Sequence, residues 1–288
     1  MTETKEYAYA KLNISLDVTA RRTDGYHDML MVMQTVSLRD ELTVTLGGGQ
    51  VRAESNLRFI PSDERNLAVR AALKYLDAVG DRDRGAHIRL DKDIPVGAGM
   101  AGGSSDAAAV LRAMNRLYDG RLSREKLMDL AAAVGSDVAF CLLGGTALAG
   151  GRGERLTPLP SLPDCFFVIC KPDFSVSTPE LFKKLDAAPP RRHPDTQGLI
   201  RALEQGQLSE ICHRLYNVFE DVDDRRMRSE REIKGRLLDF GSLGTLMTGT
   251  GSAVFGIFSG KDAARAACDA LSKEYGFCRV AEPVGPLL

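Results

Sequence analysis

A glycine-rich segment at residues 95–105 has the composition and spacing of an anion-binding loop. It reads Pro95, Val96, Gly97, Ala98, Gly99, Met100, Ala101, Gly102, Gly103, Ser104 and Ser105. Glycines let the backbone N–H groups of such a loop approach a ligand closely. A helix is predicted to begin at Ser104, and its unpaired N–H groups and dipole also favour a negative charge. The segment therefore predicts a site for an anion, most often a phosphate.

Two well-known phosphate motifs do not fit this glycine-rich loop. The spacing of Gly97, Gly99 and Gly102 matches the dinucleotide fingerprint, but that fingerprint belongs to a strand–helix–strand unit. Here the predicted helix 104–118 is followed by another predicted helix. A Walker A loop needs a lysine before its serine, and this chain has Gly103 there. A flexible turn is the remaining alternative, disfavoured because each ordered glycine loses extra backbone entropy.

Alternating strands and helices are predicted on both sides of the loop, which is typical of an α/β or α+β fold. Residues 7–18 alternate apolar and polar side chains, predicting a half-buried strand with Lys11 and Asn13 on its polar face. The other predicted strands are 29–38, 41–46, 86–90, 166–170, 277–281 and a strand–turn–strand unit at 246–258. The other predicted helices are 66–79, a helix between Ser123 and Gly135, 178–186, 218–239 and 261–275.

A cluster of prolines at 158, 160 and 163 marks the expected domain boundary. Composition changes between residues 155 and 164, and such segments often connect domains. We therefore expect an N-terminal domain at 1–160, which carries the glycine-rich loop, and a C-terminal domain at 161–288.

The overall composition is that of a soluble globular protein. The 288 residues are 44% hydrophobic and 27% charged, with a net charge of −1, so a basic surface for nucleic acid or membranes is not expected. No apolar run approaches the 18 residues or so of a membrane span. The six cysteines are scattered and the four histidines lie far apart. We expect reduced thiols in a cytoplasmic protein, and no metal-binding histidine cluster.

Six segments together resemble the GHMP kinases, a superfamily that includes galactokinase, homoserine kinase and mevalonate kinase. The glycine-rich loop, followed by Asp106, is similar to the phosphate loop of that family. The other five segments are 10–13, 22–27, 135–138, 177–182 and 248–252, and they occur in the family's order. Within the superfamily the likeness is strongest to the kinases of 4-diphosphocytidyl-2-C-methyl-D-erythritol.

The loop departs from the family pattern at one position. The family usually has a glycine where this chain has Ala101. If the position requires a positive φ, the methyl group costs roughly 1 kcal/mol. We expect activity to be kept, with an effect on nucleotide affinity.

The resemblance implies a fold and a reaction. The fold is a two-domain GHMP kinase fold of mixed α/β (α+β) class, with an N-terminal ribosomal-S5-like domain and a C-terminal ferredoxin-like domain. The active site would lie in the interdomain cleft. The reaction moves the γ-phosphate of ATP to the 2-hydroxyl of the cytidine-containing alcohol, in the non-mevalonate route to isoprenoids. Mg²⁺ would bridge the phosphates, assisted by the hydroxyl of Ser104 or Ser105.

The resemblance also assigns catalytic roles to two residues. Asp137 matches the family's catalytic aspartate and would accept the hydroxyl proton. Lys11 would lie beside that carboxylate and the attacking oxygen, with Asn13 within reach of the same site. The residue pattern alone allows simpler interpretations, because Asp137 also fits a helix N-cap and Lys11 an exposed strand lysine.

The remaining site residues match family positions near the two substrates. Tyr26 and His27 would stack on and hydrogen-bond a cytosine, although this segment also reads as a turn. Phe182 would close the other face of the base, and Thr178 would place a hydroxyl near the substrate. A core phenylalanine and a helix start are the alternatives. Asn66 would lie near the nucleotide, or cap a helix.

Two other functions stay open at this point. One is a GHMP kinase for homoserine or a mevalonate derivative, but those substrates have no base for Tyr26, His27 and Phe182. The other is a nucleotide-binding regulatory module without catalysis, which would not need both Lys11 and Asp137. ATP and a small-molecule alcohol are the expected partners, and the sequence makes no prediction about protein partners.

Overall fold

The computed structural model describes residues 2–188, 192–222 and 228–288. Within these ranges the strands are β1 (Glu3–Arg21), β2 (His27–Leu46), β3 (Val51–Ser55), β4 (Ala86–Asp91), β5 (Thr146–Gly151), β6 (Arg155–Leu159), β7 (Phe166–Lys171), β8 (Tyr216–Asn217), β9 (Gly244–Met247), β10 (Val254–Phe258) and β11 (Phe277–Ala281). The α-helices are α1 (Leu67–Val79), α2 (Gly102–Leu117), α3 (Arg124–Val134), α4 (Ser136–Leu143), α5 (Thr178–Ala187), α6 (Thr196–Glu204), α7 (Leu208–His213), α8 (Arg228–Asp239) and α9 (Lys261–Leu271).

Two sheets organise the described residues. The first runs in the order β3-β4-β2-β1-β8, and its long strand β2 also pairs with β5, which pairs with β6. The second runs in the order β11-β7-β10-β9. Helices α1, α2 and α4 pack on the first sheet, α3 packs on these three helices, and α8 and α9 pack on the second sheet. The expected mixed α/β class is therefore confirmed.

Strand β1 contributes side chains to both hydrophobic cores. Ala8 and Leu16 pack with the helices of the first sheet, whereas Leu12 and Ile14 pack with residues of β7 and β10. Register shifts in its pairing with β2 occur near Lys11 and Asn13. The prediction of a half-buried strand with one polar face is wrong in this respect, because the polar residues from Lys11 to Asp17 are also buried. Buried polar side chains need partners, so this face is part of a packed site.

The predicted domain boundary lies between the two sheets. Strand β6, with Pro158, is the last strand before the boundary and pairs with β5. Strand β7 then begins the second sheet. The chain later returns, because β8 pairs in parallel with β1 and the segment near Pro283 bridges to Val36. Division at residue 160 stays a prediction.

Several predicted elements differ from the structure. The predicted strands 29–38 and 41–46 are one continuous strand, β2, and the helix expected from Ser104 begins at Gly102. The predicted helix 218–239 is wrong at its start, where Val218–Asp221 forms a short 3₁₀ helix whose first turn is capped by Asn217. Residues 223–227 of that prediction lie outside the described residues. No helix in the described ranges has the length and apolarity to cross a bilayer.

Candidate active site

The glycine-rich loop connects β4 to α2 with three residues in the left-handed region. Gly97 and Gly99 have φ of +66° and +75°, and Ala101 has φ of +59° directly before α2. The position of Ala101 therefore does require a positive φ, which costs an alanine about 1 to 2 kcal/mol. The hydroxyl of Ser105 donates to the carbonyl oxygen of Tyr9 at 2.6 Å. Of the two serines, Ser104 is thus the one whose hydroxyl is not used to anchor the loop to β1.

A second glycine turn, residues 248–252, lies against this loop. The Thr248 hydroxyl donates to the Gly99 carbonyl oxygen at 3.2 Å, and the N–H of Ala253 donates to the Ala98 carbonyl oxygen at 3.4 Å. A β-carbon on Gly99 would overlap the carbonyl of Thr248. Glycine is therefore required at position 99 by close backbone approach as well as by φ.

Two cavities meet at the glycine-rich loop. The large cavity, about 690 Å³, is lined by β1, the start of α4, α5 and the second glycine turn. The small cavity, about 350 Å³, is lined by the loop itself, Asn66 and Lys92. Gly97, Gly99 and Ala101 line both. A group bound in one cavity can therefore reach a group in the other across the N-terminus of α2.

Lys11 and Asn13 form a buried pair at the base of the large cavity. The Lys11 side chain donates from Nζ to Oδ1 of Asn13 at 2.5 Å, and the residue is only 5% exposed. Asn13 also accepts from the N–H of Gly249 at 3.0 Å, while its buried Nδ2 has no hydrogen-bond partner among the described residues. The alternative of an exposed strand lysine is therefore wrong, and the asparagine keeps a free donor for a ligand.

Asp137 lies in the first turn of α4 and lines the large cavity. The N-cap of this helix is Gly135, so Asp137 is not a capping residue. Its carboxylate lies near the positive end of the helix dipole. Asp137 and Lys11 are both described and line the same cavity, but they do not form an ion pair with each other.

Cys141, one turn further along α4, lies close to both of these residues. Burial raises the pKa of its thiol to about 12, and the charge of Asp137 acts in the same direction. A thiol in this state is not a nucleophile at neutral pH. Asp137 and Lys11 remain as the groups that can handle a proton here.

Aromatic residues line the far end of the large cavity. Tyr26 is 53% exposed, with the guanidinium of Arg152 stacked 3.7 Å from its ring centroid. His27 stacks on Phe182 with ring centroids 4.5 Å apart, and Phe219 packs edge-on against Phe182 at 4.9 Å. Phe182 is thus part of the cavity wall rather than an ordinary core residue. The structure brings the three predicted base-binding residues to one place.

Thr178 and Asn66 occupy different cavities. Thr178 begins α5, and its hydroxyl lies 2.8 Å from that of Thr250 in the large cavity. Asn66 lines the small cavity and also caps α1, accepting from the N–H of Ala68 at 3.0 Å. Its Nδ2 donates to the Pro61 carbonyl oxygen at 2.9 Å. Asn66 is therefore an N-cap that also lines the small cavity, and its place near a nucleotide stays a prediction.

A buried ion triad supports the glycine-rich loop and was missed from the sequence. Nζ of Lys92 contacts carboxylate oxygens of Asp40 and Asp106, each at 2.5 Å. Asp40 also accepts from the N–H groups of Asp93 and Ile94, at 2.6 and 2.7 Å, where the loop begins. The three residues come from β2, the end of β4 and α2, so no local spacing could have identified them.

Burial and charge shift the pKa values of Asp106 and Lys92. Burial raises the pKa of Asp106 to about 7, and the charge of Lys92 only partly opposes this shift. Burial lowers the pKa of Lys92, but the charges of Asp106 and Asp40 outweigh it and the net shift is upward. Lys92 therefore stays protonated at neutral pH.

Comparison with known proteins decides the family. Residues 66–145 match the GHMP kinases N terminal domain, and residues 199–276 match the GHMP kinases C terminal domain. A 4-diphosphocytidyl-2-C-methyl-D-erythritol kinase of Bacillus subtilis (strain 168) is 46% identical over 88% of this chain and 87% of its own length. The chain belongs to the GHMP kinase family.

Other relatives of this GHMP kinase agree in fold. The enzyme of the same name from Clostridium acetobutylicum is 40% identical, covering 93% of this chain and 95% of its own. A crystal structure of 4-(cytidine 5'-diphospho)-2C-methyl-D-erythritol kinase superposes with a TM-score of 0.82 at 36% identity, over 98% of this chain and all of that chain. A homoserine kinase from Cytophaga hutchinsonii has a TM-score of 0.79 at 22% identity, which indicates a shared fold. The expected two-domain GHMP kinase fold is confirmed, and the chain is an ATP-dependent kinase.

Residues without a sequence signal complete the large cavity of this kinase. Asp186 lies 2.8 Å from His27 and Arg21 lies 3.7 Å from Asp186. Arg152 reaches Tyr26 from the connection between β5 and β6. A charged residue in a helix or turn reads as a solvated surface. Only their partners, distant in sequence, identify them as part of the site.

Proposed function

We propose that this GHMP kinase transfers the γ-phosphate of ATP to the 2-hydroxyl of 4-diphosphocytidyl-2-C-methyl-D-erythritol. The observation that carries the proposal is the glycine-rich loop shared by two cavities. ATP would occupy the small cavity, with its terminal phosphates against the loop and the N-terminus of α2. The alcohol would occupy the large cavity, so that its hydroxyl faces the γ-phosphate. Phosphoryl transfer depends chiefly on such positioning and on charge stabilisation.

Asp137 is proposed as the group that accepts the proton of the attacking hydroxyl. Its carboxylate does not cap α4, and the residue lines the large cavity. Lys11 places a buried ammonium in the same cavity, oriented by its hydrogen bond to Asn13. A cation there stabilises negative charge that develops on the hydroxyl oxygen and the transferred phosphoryl group. The unpaired Nδ2 of Asn13 is a further donor toward the same region.

The residues around the loop fit a magnesium ion bound through ATP. Within the described residues no group of three or more acidic, cysteine or histidine side chains forms a metal cage. Mg²⁺ in kinases needs few protein ligands, because phosphate oxygens and water fill most positions. We propose that the hydroxyl of Ser104, which lines the small cavity, supplies a protein oxygen. When bound, the ion neutralises phosphate charge.

The aromatic end of the large cavity supports a cytidine-containing substrate. Tyr26 and Phe182 offer apolar ring faces, and His27 offers a polar ring edge. Homoserine and mevalonate derivatives have no base to use these groups. Arg21, Arg152 and Lys183 line the same cavity and would favour a diphosphate. A cytoplasmic location and a role in the methylerythritol phosphate route to isoprenoids are parts of this proposal.

The test is an ADP-release assay with ATP and three alcohols. The cytidine-containing alcohol should be turned over at least about a hundredfold more efficiently than homoserine or phosphomevalonate, because buried polar groups discriminate strongly. Preference for either of the other alcohols would contradict the proposed substrate. Binding of ATP without turnover of any alcohol would instead support a regulatory module.

A further inference from the structure

The imidazole of His27 is held by a hydrogen bond and a ring stack. Its Nε2 lies 2.8 Å from Oδ1 of Asp186 on α5. Its ring lies over Phe182 with planes 23° apart, and Phe219 packs edge-on against Phe182. The imidazole is only 9% exposed. The protein rather than solvent therefore sets the orientation of this ring.

The partner of Nε2 decides which ring nitrogen carries the proton. An ionised carboxylate accepts hydrogen bonds and cannot donate one. Nε2 therefore carries a hydrogen, and in the neutral imidazole Nδ1 is left as an acceptor. The other oxygen of Asp186 lies 3.7 Å from Nε of Arg21. Each oxygen of the Asp186 carboxylate thus has a partner, His27 or Arg21, and these two contacts orient the carboxylate.

Nδ1 is the polar atom of His27 that is left for a ligand. Among the described residues it makes no hydrogen bond with the protein, since the ring's contact is through Nε2. Among the described residues, Nδ1 of His27 is also not one of the polar atoms that are fully buried without a hydrogen-bond partner. His27 lines the large cavity. In the neutral imidazole Nδ1 is therefore an acceptor that opens to the large cavity.

We propose that Asp186 is a positioning residue that makes this site select a pyrimidine with an amino group. The proposal rests on the proposed function, in which the large cavity takes a cytidine diphosphate derivative. Cytosine presents an exocyclic N–H donor where uracil presents a carbonyl oxygen. The lone pair of Nδ1 accepts a hydrogen bond from the cytosine N–H and repels the uracil carbonyl oxygen. Asp186 acts through the tautomer of His27, without contacting the base.

The test measures binding of CDP and UDP, which carry the base and the diphosphate but lack the reacting alcohol. In calorimetry the wild-type protein should bind CDP about tenfold more tightly than UDP, the effect of one hydrogen bond. In Asp186→Asn the side-chain amide either accepts from Nε2 or donates to it, so the tautomer is no longer fixed. The ratio of the two affinities should fall toward one, with the affinity for ATP unchanged.

A double variant distinguishes tautomer control from a merely structural role. In a His27→Ala background, adding Asp186→Asn should not change the CDP:UDP ratio further. A further change there would overturn the proposal, as would an Asp186→Asn protein that keeps the wild-type ratio. Asp77→Asn is the matched control, because it is the same substitution at an aspartate that also pairs with an arginine. Asp77 lies on α1, outside both cavities, and pairs with Arg82 at 3.3 Å. This variant should behave as the wild type.

The outcomes also separate this proposal from the proposed function. Wild-type protein that binds CDP and UDP equally overturns the role of Asp186, while turnover of the cytidine-containing alcohol would still stand. Wild-type protein that binds neither nucleotide, and turns over homoserine instead, overturns both. The Asp186→Glu variant keeps an acceptor-only group and should retain more of the preference than Asp186→Asn.

Discussion

The hydroxyl of Thr248 donates to the carbonyl oxygen of Gly99 at 3.2 Å and so joins the second glycine turn to the glycine-rich loop. The same threonine accepts from the N–H of Asn13 at 3.1 Å. Three segments far apart in sequence therefore meet at one hydroxyl. The contact links the glycine-rich loop and β1 of the first sheet to the turn that follows β9 of the second sheet.

The contact makes Gly99 intolerant of a side chain. Gly99→Ala places a methyl group against the backbone of Thr248 at a φ of +75°. We expect a loss of about 2 to 4 kcal/mol in the free energy of unfolding, together with weaker ATP binding. Urea unfolding and ATP titration check this. Gly120→Ala is the control, because Gly120 has nearly the same φ, +74°, with open space around it, and should lose only about 1 kcal/mol.

Ala101 is expected to be tolerated rather than adapted. Its φ of +59° is unfavourable for alanine, so Ala101→Gly should raise the free energy of unfolding by about 0.5 to 1 kcal/mol. ATP affinity should stay equal or improve. Ala132, exposed in α3, is the control in a regular helix. There Ala132→Gly should lower the free energy of unfolding by about 1 kcal/mol. A large loss of affinity in Ala101→Gly would show that the methyl group contributes to the site.

Asp137 should be essential for turnover and dispensable for ATP binding. Asp137→Asn removes the proton acceptor while keeping the shape, so kcat should fall about 10²- to 10⁴-fold. Steady-state kinetics and ATP titration measure the two effects. Asp129→Asn, an exposed position on α3, should leave both unchanged. Near wild-type turnover in Asp137→Asn would mean that another group accepts the proton.

Tyr26 should contribute to binding of the alcohol and not to binding of ATP. Stacking of a base on an aromatic ring contributes about 1 to 3 kcal/mol, so Tyr26→Ala should raise the KM for the cytidine-containing alcohol about tenfold or more. The KM for ATP should not change. Tyr7→Ala is a matched control, because Tyr7 is also exposed and carries a stacked arginine, Arg39, at 3.9 Å. Equal losses for both substrates would contradict stacking.

The buried triad predicts a pH dependence of stability. The pKa of Asp106 is raised to about 7 in the fold, above its ordinary value of 3.8. The folded protein therefore binds more protons than the unfolded chain between about pH 4 and 7. This contribution to stability is fully present below pH 4 and is lost as pH rises through 7, with a slope of at most about 1.4 kcal/mol per pH unit.

Replacing the titrating carboxyl should remove this slope. In Asp106→Asn, urea unfolding measured from pH 4 to 8 should show a flatter dependence than in the wild type. Asp129→Asn should run parallel to the wild type, because its exposed carboxylate is not part of the triad. If Asp106→Asn also runs parallel, the carboxyl of Asp106 does not titrate in this range in the folded protein.

Local chemistry made much of this protein predictable from its sequence. A helix, a strand and a glycine-rich loop are set by neighbouring residues, so segments such as 86–90 and 166–170 were predicted nearly to the residue. Helix 218–239 failed at its start because the side chain of Asn217 caps a 3₁₀ turn over residues 218–221. The family followed from the order of six short motifs. The assigned roles of Lys11 and Asp137 stay predictions.

Only the tertiary structure decided which residues share a cavity and which support it. The pairs His27–Asp186 and Lys92–Asp106, and the contact of Gly99 with Thr248, join residues separated by 14 to 159 positions. Packing of the two sheets and their helices brings them together, and no residue spacing encodes such contacts. The sequence by itself determined the kinase family and predicted a phosphate-binding loop. The fold decided that this loop lies between two cavities and requires a positive φ at Ala101.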